Sequence, residues 1–86
     1  MYEIQDVEGN LKGENWEMRK NHLIVHRGSF RTLVRFAVRD LGFDLHDFER
    51  AVQGMTYNGH NTLTFDSSKR LVSTSYQSTN KQKKTG

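Results

Sequence analysis

The chain contains no cysteine and no proline. Without cysteine it can form neither a disulfide framework nor a thiolate metal site, which fits a reducing compartment. It also has no apolar run near the roughly 20 residues that span a bilayer. Its opening, MYEIQDVEGN, is acidic and lacks the basic-then-apolar order of a secretory signal. The sequence therefore predicts a soluble, unexported, cytoplasmic protein. It shows no Gly-rich phosphate loop, no nucleophile signature and no dense carboxylate or Cys/His constellation, so no cofactor, metal or catalytic machinery is expected. At 86 residues the chain is one domain at most. A domain of this size buries only about 60–65% of its unfolded surface.

Acid is missing from one long stretch. The formal net charge of +3 conceals blocks of opposite sign. Residues 1–18 hold five acids and one base, whereas residues 19–39 hold six bases (Arg19, Lys20, Arg27, Arg31, Arg35 and Arg39) and no acid. Residues 40–50 return to four acids against Arg50, and residues 51–86 carry Asp66 against five bases. Segregation of this kind creates local fields that the net figure hides.

The periodicity predicts an α+β domain over residues 1–76, arranged ββ-α-α-ββ, with a small antiparallel sheet of about four strands packed on two helices. Tyr2 and Ile4 alternate with polar residues, but glycines follow soon after, so the order of residues 1–15 is left open. Trp16 and Met18 alternate with charged residues, Lys20-Asn21 suggests a turn, and residues 22–26 suggest a well-buried second strand. Ser29 suits the N-cap of a helix from Phe30 to Leu41, ended by Gly42. Asp44 caps a second helix whose inner face is Leu45, Phe48, Ala51, Val52 and Met55. Strand texture is expected after Gly54, with Asn58-Gly59 as a tight turn, and strands around 62–65 and 70–76 joined by an Asp66–Lys69 turn. From Gln77 to Gly86 no apolar residue occurs, and a disordered basic tail is expected.

The acid-free stretch carries the functional reading. On a helical wheel from Phe30, the apolar residues cluster on one arc, while Arg31, Arg35 and Arg39 fall roughly 100–180° around. Arginine is used each time, and its planar fork of donors matches phosphate in pairs. Like charges four apart on a helix cost a few tenths of a kcal/mol per pair, a repulsion that an anionic partner would relieve. Arg19, Lys20 and Arg27 are expected to extend this surface, and Lys81, Lys83 and Lys84 to add affinity from the tail. Phe36, at about 240° on the wheel, lies off the apolar arc and is a candidate for stacking on a base. The helix offers no Asn or Gln to read base edges, which favours RNA and shape recognition over a DNA operator.

Two other classes are open. Acidic and basic faces would equally suit a protein–protein interaction module or a homo-oligomeric inhibitor. A small ribonuclease would need His22, His26, His46 or His60 to pair with Glu17, Asp47 or Glu49 as acid and base. No family motif matches residue by residue. In being short, strongly polar and free of cysteine and proline, the chain resembles the accessory proteins that phages direct against host defences. That resemblance implies an RNA-binding inhibitor of a host toxin or nuclease.

Overall fold

A computed structural model of the protein describes residues 1–8 and 13–77. Its strands are β1 (Tyr2–Asp6), β2 (Trp16–Lys20), β3 (Leu23–Gly28), β4 (Thr62–Phe65) and β5 (Leu71–Ser75). Between β3 and β4 run helices α1 (Phe30–Phe36) and α2 (Leu45–Tyr57), α1 continuing into a π-helical turn over Ala37–Leu41. Every strand pairing is antiparallel, in the order β3-β2-β1-β4-β5. The fold is α+β, as the sequence predicts, with one strand more than expected. The added strand is the central one. In β1, Tyr2, Ile4 and Asp6 are buried while Glu3 and Gln5 are partly covered, the period-two pattern of a strand with one face on a core.

That core lies between one sheet face and the helices. Ile4, Met18 and Leu63, from the three inner strands, are fully enclosed with Leu33, Ala37, Phe48 and Met55 from the helical layer. Aromatic rings run through it. Trp16 meets Phe30 at 4.8 Å, and Phe43 meets Tyr2, Phe48 and Phe65 at 5.1–5.6 Å, edge to face. These separations fall in the range where ring pairs add attraction beyond burial.

Several sequence expectations are corrected. The apolar run Leu23-Ile24-Val25 is exposed, because β3 is an edge strand and has no second neighbour to cover it. The helix from Phe30 does not stay α-helical to Leu41. After Phe36 it widens, so that the N–H groups of both Gly42 and Phe43 donate to the Ala37 carbonyl. Gly42 then stops it in the left-handed region at φ 84°, as anticipated. α2 carries on through Gly54 to Tyr57, and Asn58-Gly59 terminates this helix; it does not join two strands. Leu45, expected on the inner face of α2, is exposed. Gln77, placed at the start of the tail, is held by Asn61: its N–H donates to the side-chain oxygen and its carbonyl accepts from the amide nitrogen. The expected disordered tail otherwise lies outside the described residues.

His22 is not the strand residue its spacing from His26 suggests. It sits with Asn21 in the two-residue link between β2 and β3, at φ 73° and 52°. Two positive φ angles mark the mirror-image turn that matches strand twist, which favours Asn-Gly. Asn21 fits; histidine at the second position carries a Cβ into a region that disfavours it by about 1–2 kcal/mol. Replacing it should therefore help. His22→Gly is expected to raise unfolding stability by about 0.5–1 kcal/mol, after the added freedom of the unfolded chain is deducted. Urea titration checks this, and unchanged stability would show that the strain in the turn does no more than offset that added freedom.

Candidate nucleic-acid interface

α1 is short and capped at its start, where the Thr32 N–H donates to the Ser29 hydroxyl at 3.3 Å. Leu33 and Ala37 are completely buried and fix which side of the helix faces the sheet. Arg35 then points away from the core, with Arg31 and Arg39 beside it, and all three are exposed. Among the described residues no carboxylate pairs with any of them. Asp40, adjacent in sequence to Arg39, is exposed as well. The result is a ridge of guanidinium groups along the outer side of the helical layer.

Arg19 and Arg27 do not join this ridge. Trp16 and Met18 point into the core, so Glu17 between them faces the opposite side of the sheet, where it is 9% exposed. Arg27 is its cross-strand partner and grips one carboxylate oxygen through Nη2 at 2.8 Å and Nε at 3.1 Å. Arg19 reaches the other oxygen at 3.3 Å. The expectation that Arg19 and Arg27 extend the helical surface is therefore corrected. Strand alternation places them behind the sheet, and a single buried-side carboxylate binds both. Lys20 is the cross-strand partner of Tyr2 and holds its ammonium 5.8 Å from the centre of that ring. Lys81, Lys83 and Lys84 lie outside the described residues.

Phe36 is half-buried, and its ring stacks on His26 at 5.0 Å with the planes 18° apart. One ring face is thus occupied from within the molecule. His26 also contacts the Thr32 hydroxyl through Nε2 at 3.2 Å, which ties β3 to α1. The remaining histidines are dispersed. His60 meets the Thr74 hydroxyl through Nδ1 at 2.7 Å, His46 is exposed on α2, and His22 is in the hairpin turn. Among the described residues, no three His, Asp or Glu side chains are placed to hold a metal ion. No described helix is long and apolar enough to cross a membrane.

Sequence reasoning missed one basic cluster. Arg50, Lys69 and Arg70 line a groove between α2 and β5, brought together from a helix and the β4–β5 turn. They are almost 20 residues apart in the chain, so no charge run announces them. The one local signal is Gly54, a helix-weakening residue in the last turn of α2.

No protein-family model, curated protein or solved structure matches this chain.

Glu17 holds two guanidinium groups that would otherwise repel across neighbouring strands. Glu17→Ala is expected to lower stability by about 1 kcal/mol, a modest value because both arginines are substantially solvated. The loss should shrink in high salt, where the exposed cations repel less. A salt-independent loss would assign the residue a packing role only.

Proposed function

We propose that this protein binds nucleic acid, RNA in preference to DNA, through the outward ridge Arg31, Arg35 and Arg39, and that it acts without catalysis. The observation that carries the reading is the lack of any carboxylate partner for these three side chains among the described residues, in a molecule that does neutralise Arg19 and Arg27. Arginine forks hold phosphate oxygens two at a time, and an exposed row of three such groups can follow a sugar–phosphate backbone. The ridge carries no amide side chain, so it supports recognition of backbone and shape. The half-covered Phe36 leaves at most one ring face to a base.

With Arg19 and Arg27 withdrawn behind the sheet, the expected number of phosphate contacts is three. Binding of labelled single-stranded RNA should then weaken with salt at a slope of about −2 in log K against log salt. Reversing Arg31, Arg35 and Arg39 together to glutamate should abolish retention on RNA and leave the circular dichroism spectrum unchanged. Persistence of binding in that variant would overturn the assignment.

A second outcome separates function from stability. Arg35→Glu replaces two like-charge neighbours with two attractive pairs, to Arg31 and to Arg39. It should stabilise the fold by about 0.5 kcal/mol, as seen by thermal unfolding, while weakening RNA binding. A structural role for the ridge would make the same change destabilising.

A further inference from the structure

The groove between α2 and β5 lies toward one end of the sheet, over β4 and β5, whereas α1 with its arginines packs over β2 and β3 at the other. It encloses about 580 Å³, within the range of sites that take a ligand or a partner's side chains. Its floor is Phe65, its helical wall Ala51 and Gly54, and its outer wall Leu71 on β5. Arg50, Lys69 and Arg70 stand on its rim with Asp47, so the rim is net positive. Among the described residues none of these three cations has a carboxylate partner.

Gly54 is the informative wall residue. Its φ is ordinary, and a Cβ built there meets nothing within 4 Å. Neither backbone conformation nor internal packing calls for glycine, yet glycine weakens the helix at this point. What its missing side chain preserves is the opening of the groove. The strand beside it is also unguarded. β5 reads LVSTS, with no charge, and Leu71 and Val72 are about half exposed. The opposite edge, β3, carries Arg27. Edge strands without charge are open to pairing with an added strand.

We infer that this groove receives an extended, acidic peptide segment of a partner protein. The segment adds as a sixth strand along β5, inserts an apolar side chain between Gly54, Phe65 and Leu71, and sets its carboxylates against Arg50, Lys69 and Arg70. Addition to a sheet edge supplies main-chain hydrogen bonds, and alternate side chains supply specificity. The inference does not rest on nucleic-acid binding by the ridge.

A displayed library of random dodecapeptides selected on the full-length protein tests it. Enriched sequences should alternate acidic and apolar residues. The best of them, as a synthetic peptide, should lose at least about tenfold in affinity against Gly54→Phe, which fills the groove, and against the Arg50→Glu/Arg70→Glu pair. Gly54→Phe should melt no lower than the parent, because the site is open and glycine is the poorer helix former. Glutamate at positions 31, 35 and 39 should leave peptide affinity unchanged. Failure to enrich acidic sequences, or binding indifferent to Gly54→Phe, would overturn the inference. Displacement of the peptide by random-sequence RNA that itself binds Gly54→Phe poorly would overturn it in favour of a nucleic-acid groove.

Discussion

The first strand holds the sheet together. Every residue of β1 is paired to β2, and four of the five are also paired to β4, so β1 joins the β2–β3 and β4–β5 halves of the sheet. The joint is secured at one end by Asn61. Its buried side-chain amide donates to the carbonyls of Asp6 and Gln77, and its oxygen accepts from the Gln77 N–H and the Thr62 hydroxyl. Its backbone completes the clasp, accepting from Asp6 and donating to Ser75. A buried amide left unmatched would cost more than these bonds return, so full satisfaction makes this arrangement specific. In a domain with so little core, the long-range pairing concentrated here decides where every other element can sit.

One consequence is the sorting of charge. In the chain, Arg19 through Arg39 form an uninterrupted basic block, yet the sheet divides that block in two. The helical arginines face outward over the core layer, and Arg19 and Arg27 are turned behind the sheet toward Glu17. Alternation accounts for this division. Burying Trp16 and Met18 obliges Glu17 to face the other way, and pairing of β2 with β3 brings Arg27 opposite it. A carboxylate that belongs to the acidic N-terminal block in sequence thus becomes the counter-charge for two residues of the basic block in space.

The helices were legible in the sequence because their signals are local. Ser29, Gly42 and Asp44 mark boundaries by their own chemistry, and the apolar arcs of α1 and α2 follow the helical period. The ridge of Arg31, Arg35 and Arg39 was readable for the same reason. Strand rank was not. Leu23-Ile24-Val25 is an unbroken apolar run, and it lies at an edge, whereas the modest alternation of Tyr2, Ile4 and Asp6 marks the centre. Whether a strand has one neighbour or two depends on partners far away in the chain, and hydropathy carries no record of that. The π-helical turn was equally hidden, since Ala37–Leu41 keeps an ordinary α-helical composition. The groove of Arg50, Lys69 and Arg70 was out of reach until α2 and the β4–β5 turn had been set side by side.

Several features forgo local stability, and the locations of His22, the arginine ridge and Gly54 distinguish them. A domain of this length holds only about 4–13 kcal/mol in total, so each concession of a few tenths to one kcal/mol is appreciable. His22 occupies a left-handed turn position at the tip of a hairpin, where no groove or charged cluster is built around it. The repulsion along Arg31, Arg35 and Arg39 and the helical glycine at Gly54 differ in kind. Each sits on an open surface, and each would be relieved or exploited by a partner of negative charge. Breaches of local folding rules that coincide with such surfaces are where function is most economically sought. By that criterion the proposed partners would dock at the two basic surfaces, one along Arg31, Arg35 and Arg39 and one between α2 and β5. The sheet's first strand keeps their separation fixed, because both helices pack on the layer it organises.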